Sequence, residues 1–156
     1  MHHKLKTILF TLGSIVAQPA AHAVVASKAP AADDPVFTFI RARAGLATAK
    51  SITPAVNAEA ARHRLPPLLV AKLVNRESSF RVHAANGHCA GLMQVDRRHH
   101  FHKGENPWAA ADNLRAGCRV LSSCYKRYPN WPQALTAYNY GPNHRVTRVV
   151  GTSSYA

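Results

Sequence analysis

The stretch Pro66-Pro67-Leu68-Leu69-Val70-Ala71-Lys72-Leu73-Val74-Asn75-Arg76-Glu77-Ser78-Ser79-Phe80 decides how this chain is read. The two prolines open a helix, because proline suits the first helical position, where a backbone N–H would have no intrahelical partner. Leu69, Leu73 and Arg76 then fall on one side with Val70 and Val74 beside them, which predicts a buried helix of about three turns. Glu77 lies at its end. A carboxylate delivered by an apolar helix resists ionisation, and the chain has few others with which to do chemistry. Asp33, Asp34, Glu59, Asp96, Glu105 and Asp112 complete its set of seven Asp and Glu.

Downstream, residues 84 to 96 hold Asn86-Gly87 and Ala90-Gly91 and read as turns with a short extended piece from Leu92 to Val95. Asn106-Pro107 is a cap followed by proline and predicts a helix from Pro107 to about Tyr125, burying Ala110, Leu114, Cys118 and Leu121. Gly117 falls inside that helix, where glycine costs about 1 kcal/mol relative to alanine unless another backbone packs close. Trp131-Pro132 opens a helix through Tyr138, stopped by Gly141-Pro142, and Asn143 to Val150 reads as a final short helix. Upstream, Thr53-Pro54 repeats the cap-then-proline signal for a helix to about Arg64. The class is mainly α, a single domain over residues 51–156 with at most a small scrap of sheet.

Residues 1–23 read as an export signal: Lys4 and Lys6 start it, Thr7 to Ala17 is mostly apolar, and Ala21-His22-Ala23 offers a cleavage site. Residues 24–50 read as a leader or linker with a short helix from Val36 to Ala44 that Gly45 ends. The apolar run falls short of the roughly 20 residues that span a bilayer, and no later stretch approaches that length. An exported protein without an integral membrane span is expected, in the periplasm or extracellular cell-wall space. Its formal net charge of +13 favours polyanions. Because the basic residues are scattered from Arg41 to Arg148 with no run interleaved with stacking aromatics, nucleic acid is not the expected partner. Anionic wall polymer or lipid headgroups fit better.

Of three cysteines, Cys89, Cys118 and Cys124, an oxidising compartment is expected to bridge two. Cys118 and Cys124 are six positions apart, which on one helix is about 600° of rotation and points them to different sides. A bridge from Cys89 to either of them is therefore preferred. No activating pattern marks any of the three as catalytic.

Breaking a glycosidic bond requires a proton on the leaving oxygen while positive charge develops at the anomeric carbon. The donor must stay protonated near neutral pH, which an apolar surround achieves. Glu77 meets that requirement, arriving off Leu68 to Val74 and expected to face Leu92-Met93, with Arg76 turned elsewhere on the helix. Glu77-Ser78-Ser79-Phe80, Gly91-Leu92-Met93-Gln94 and Ala137-Tyr138-Asn139-x-Gly141-Pro142 resemble, in order and spacing, the soluble lytic murein transglycosylase (SLT domain) and goose-type lysozyme superfamily. The resemblance covers roughly Pro66 to Arg145. It implies a lysozyme-like fold with a small β element beside an active-site groove, and cleavage of the MurNAc-GlcNAc β-1,4 bond in peptidoglycan glycan strands.

By this resemblance Glu77 is the catalytic acid, and Ser79, Gly91, Met93, Gln94, Tyr138 and Asn139 bind substrate. Gln94, Tyr138 and Asn139 would meet the sugar's polar groups; Met93 and Phe80 would offer apolar faces, Phe80 from behind the site. The short interval between Glu77 and Gly91, with no acid in Asn86-Gly87-His88, resembles the transglycosylases. There one Glu donates and then accepts a proton as the muramic 6-hydroxyl closes a 1,6-anhydro ring. Gly91 to Asp96 followed by basic residues also resembles the goose-type branch, in which Asp96 would be a second carboxylate helping water attack. A more remote alternative is a cationic wall-binding module without turnover. No cofactor and no metal are expected: His83, His88, His99, His100 and His102 with Cys89 form a poor ligand set, and Arg97, Arg98 and Lys103 repel a cation. Components of a secretion, conjugation or phage assembly apparatus are candidate partners of a protein expected to be monomeric.

Overall fold

The computed structural model describes residues 33–141. The expected export signal, most of the expected leader and the final helix expected at 143–150 lie outside these residues. Four helices carry the fold: α1 (Pro35–Arg62), α2 (Pro67–Ser78), α3 (Ala110–Arg127) and α4 (Trp131–Tyr140). Between α2 and α3 sit three two-residue strands, β1 (Ala85–Asn86), β2 (Cys89–Ala90) and β3 (Val95–Asp96). They pair antiparallel in the order β1-β2-β3, with Asn86 opposite Cys89 and Cys89 opposite Asp96. The fold is mainly α with a scrap of sheet.

Helix α1 has two arms that meet at Gly45, whose φ of 84° only glycine adopts without strain. Asp34 caps the first arm by accepting from the Val36 and Phe37 N–H groups, and its other oxygen accepts from Asn57 Nδ2 at 2.7 Å, tying the start of α1 to its second arm. Residues 35–50, read as a linker with a short helix, contribute Val36, Phe37, Ile40 and Ala49 to the core. The helix expected to start at Thr53-Pro54 in fact begins upstream, with Thr53 buried inside it and Pro54 in its interior. An interior proline costs about 3 kcal/mol. Burying side chains such as Ile52 and Val56 offsets this, at about 1.5–3 kcal/mol each.

Helix α2 starts at Pro67 and buries Val70, Ala71, Leu73 and Val74, as the sequence predicts. It stops at Ser79 and Phe80, two successive left-handed residues with φ of 51° and 60°. The cost of that corner, of order 1–3 kcal/mol per residue, is met by seating Phe80 in the core, edge-on to Phe39 at 6.3 Å between ring centroids. The extended piece expected from Leu92 to Val95 is limited to Val95, because Gly91 and Gln94 are also left-handed and turn the chain.

Helix α3 begins three residues later than expected. The Asn106 side chain accepts from the Trp108 N–H and Asp112 accepts from the Asn106 N–H, so residues 107–109 form a turn ahead of the helix. In α4, Asn130 caps through the Gln133 N–H, and the helix runs past Tyr138 to Tyr140. The main core gathers α1, α2, α3 and the Leu92-Met93 turn, while Cys124, Ala134 and Ala137 form a smaller cluster between α3 and α4.

The expected disulfide is absent: Cys89, Cys118 and Cys124 are all free thiols. Cys118 lies in the main core, Cys124 in the smaller cluster and Cys89 half-buried on β2, so the three are distributed over separate environments. Among the described residues no three His, Cys, Asp or Glu side chains gather in a metal-binding group, and no helix is long and apolar enough to cross a membrane.

Candidate active site

The end of α2, the small sheet and the end of α4 enclose a cavity of about 1110 Å3. Glu77 lines it from the last turn of α2. Its side chain has no hydrogen bond or ion pair among the described residues, and burial pushes its carboxyl above the ordinary glutamate range. The charge of neighbouring Arg76 pulls the other way and is the lesser effect. Burial thus favours the protonated form of the one carboxyl in the cavity that has no partner among the described residues.

Asp96 lines the same cavity from β3 in the opposite electrostatic condition. One oxygen accepts from the Arg98 backbone N–H at 2.9 Å and Nε at 3.1 Å, and the other from Arg98 Nη2 at 2.8 Å. Those bonds hold its carboxyl far below the usual carboxylate range, so it is ionised and neutralised by one guanidinium.

Tyr138 and Asn139, from α4, and Gln94 complete the part of the cavity near the acid. The Tyr138 hydroxyl donates to the Met93 carbonyl oxygen at 2.7 Å, joining α4 to the Gly91–Gln94 turn. Burial lifts the Tyr138 phenol well above its ordinary value, so it remains a donor. Gln94 folds its amide nitrogen back onto the carbonyls of Ala84 and Gly91, at 3.0 and 2.9 Å. Its amide therefore braces the turn as it faces the cavity.

The remaining expected binding residues, Ser79, Gly91 and Met93, are not among those that line the cavity. Met93 is fully buried, its side chain lying where a Cβ on Gly117 would be. This is the close approach that permits a glycine inside α3, made by a side chain and not by the other backbone the sequence suggested. Met93 thus lies in the core and not in the cavity lining, and so does Phe80, which packs as a prop for the α2 corner. Gly91 is buried with φ of 74°, and a Cβ there would strike the Asn113 side chain and the Pro107 carbonyl. Ser79 is exposed and forms the left-handed cap of α2, its N–H donating to the Asn75 carbonyl oxygen at 2.9 Å.

Asn113 was not singled out from sequence, yet it fastens the whole turn. Its Oδ1 accepts from the Met93 N–H at 2.8 Å, and its Nδ2 donates to the carbonyls of Ala90 and Pro107 at 2.8 and 2.9 Å. The available signal was a lone amide one helical turn before Gly117 and next to Leu114 on the buried stripe of α3. Cys89, Arg81, His83 and His100 also line the cavity and were given no site role.

Comparison with known proteins agrees with this arrangement. The chain is similar to lysozyme g of Struthio camelus, 34% identical over 97 residues, covering 50% of this chain and 45% of that protein. It is similar to lysozyme g of Gallus gallus at 32% over 92 residues, 49% of this chain and 43% of that one, and to lysozyme G of Dromaius novaehollandiae at 33% over 94 residues, 48% and 43%. The chain thus spans less than half the length of these curated relatives. A family model described as Transglycosylase SLT domain matches residues 54–154, the stretch that holds Glu77, the Gly91–Gln94 turn and the Tyr138-Asn139 pair. With that match over most of its length and its mainly α, lysozyme-like fold, the chain belongs to the transglycosylase SLT domain family.

Proposed function

We propose that this protein is a peptidoglycan lytic transglycosylase, with Glu77 as its one acid and base. A glycan strand occupies the cavity and Glu77 protonates the oxygen between MurNAc and GlcNAc. The muramic 6-hydroxyl then attacks its own anomeric carbon while giving its proton to the Glu77 carboxylate, which leaves a 1,6-anhydro end and restores the acid. Tyr138, Asn139 and Gln94 orient the sugar. The observation that carries this reading is a carboxyl held above its ordinary range by burial, unpaired among the described residues, in a cavity whose second carboxylate is tied to Arg98. A substrate-assisted route requires no second carboxylate. The reading of residues 1–23 as an export signal supports action in the cell-wall space.

A second reading is a hydrolytic muramidase in which Asp96 guides water, favoured by the lysozyme g relatives and by Asp96 sharing the cavity. Mass spectrometry of peptidoglycan digested with the purified protein separates the two. Anhydro-muramyl ends are expected, reducing ends would shift the assignment to hydrolysis, and no release would leave a binding module.

A further inference from the structure

Away from the acid, the cavity is also lined by Arg81, His83 and His100, cationic or hydrogen-bonding groups that proton transfer does not use. Arg81 is exposed but anchored. Its Nε donates to the Ser78 carbonyl oxygen at 3.1 Å, so the guanidinium is tied to the last residue of α2, next to Glu77 in sequence. Its terminal nitrogens have no partner among the described residues. The carboxylates that pair with arginines are engaged elsewhere, Asp96 with Arg98, Glu105 with Arg119, Asp112 with Arg115 and Glu59 with Arg62 and Arg115. Glu77 feels Arg76 as its opposing charge, not Arg81. His83 is steadied from outside, its ring 6.3 Å from that of Trp108, on which Arg97 also sits at 5.7 Å. The cavity therefore holds an uncompensated cation that leaves the proton donor undisturbed.

We propose that Arg81, assisted by His83, forms a carboxylate-binding subsite for a free carboxylate of the peptide stem borne by the lactyl group of MurNAc. The inference rests on the glycan reading of the cavity. A guanidinium presents a rigid fork of N–H donors that matches a carboxylate in two parallel bonds, whereas a neutral sugar asks for mixed donors, acceptors and an apolar face. Because Arg81 shares one cavity with Glu77, its ligand must be a group joined to the strand being cut. The acidic stem hangs from the same sugar whose bond is broken, which satisfies that condition. A separate wall polymer does not.

The test uses the full-length Glu77→Gln protein, which leaves strands whole, titrated calorimetrically with soluble glycan in three forms: stems with free carboxylates, stems amidated at those carboxylates, and stems removed. Free-acid strands are expected to bind about tenfold more tightly than the other two. Adding Arg81→Gln should erase the difference, and Arg81→Lys should keep part of it. The preference is a ratio within each protein, and wild-type kcat/KM on the same strands repeats it, so a poorly folded variant cannot imitate the result. Equal binding of acid and amidated strands overturns the subsite, as does a preference that survives Arg81→Gln. Displacement by a soluble glycerol-phosphate polymer, with no preference among the three strands, would also overturn it. Wild-type release of fragments without any stem preference would sink the subsite alone, whereas cleavage retained by Glu77→Gln with the binding preference intact would sink only the assignment of Glu77.

Discussion

Two carboxylates line one cavity, one from a helix and one from the small sheet, and the two walls are built differently. Glu77 comes off a helix whose buried side is Val70, Leu73 and Val74, and it is left without an ion pair among the described residues. Asp96 comes off a two-residue strand at the surface and is clamped by three donors of Arg98. Burial raises the first acid and a partner lowers the second. Glu59 sharpens the lesson. It is more deeply buried than Glu77, yet Arg62 and Arg115 approach it at 3.2 and 3.4 Å. Two carboxyls removed from solvent thus differ in their partners: Glu59 is ion-paired with guanidinium groups, and Glu77 with none among the described residues. The walls also differ in what holds them: the helical wall has its own backbone bonds, while the wall of turns depends on Asn113, Tyr138 and Gln94.

The largest effect expected is at the helical wall. Glu77→Gln keeps the side chain's shape and removes its proton, so fragment release should fall about 10³-fold, within the usual range for a general acid. Turnover of labelled sacculi, with circular dichroism to check the fold, measures this. Activity within about tenfold of wild type would mean that the contrast between the walls is not catalytic. Release by the wild type should also decline as pH rises through the raised Glu77 value, because the ionised acid has no proton to give.

Next comes the wall of turns. Asn113→Ala would strand the Met93 N–H and the carbonyls of Ala90 and Pro107 in a buried place. A buried polar group left unsatisfied costs about 1–3 kcal/mol, so a loss of roughly 2–4 kcal/mol is expected for the set, partly relieved by water. Urea unfolding would measure it. A loss under about 0.5 kcal/mol, the size of a plain surface substitution, would show that the turn stands without its anchor.

How far the sequence foretold these walls follows from the range of the forces that build them. The helical wall was legible because helix signals are local: Pro66-Pro67, the spacing of Leu69, Leu73, Val70 and Val74, and Glu77 at the end all lie within one short stretch. The same local logic failed at Thr53-Pro54, where long-range burial of Ile52 and Val56 carried the helix through a proline. On the other wall the residues were noticed but their roles exchanged. Met93 and Gly91 read as groove residues, whereas Gly117 and Asn113, more than twenty positions away from Gly91, decide that they are not part of its lining. The cationic lining at Arg81 and His83 carried no pattern, since a cation that happens to face a cavity has no sequence period.

Asp96→Asn should matter much less to turnover. In a single-acid route Asp96 never handles the proton, so removing its charge should change release by less than about tenfold and leave the products anhydro. A drop as deep as that of Glu77→Gln, with reducing ends in the wild-type products, would make both walls catalytic and move the assignment to hydrolysis.

The smallest effects, and the most direct reading of the contrast, lie in stability against pH. Because the folded Glu77 carboxyl is raised, the fold favours its protonated form. Its contribution is fully present below the unfolded value of about 4.3 and is lost as pH rises through the raised folded value. Glu77→Gln cannot ionise, so its melting temperature should draw ahead of wild type as pH goes from 4 to 7 and match it in acid, by about a degree or two for a partly exposed group. Asp96 runs in mirror image. Its folded value is depressed, so its stabilisation is present above about 3.9 and fades as pH falls toward that folded value. Asp96→Asn should therefore melt slightly below wild type at pH 7 and converge with it in strong acid, a small difference because the Arg98 pair is solvent-facing. Two melting series of opposite sign would place the proton on one wall of the cavity and the charge on the other; two of the same sign would dissolve the distinction.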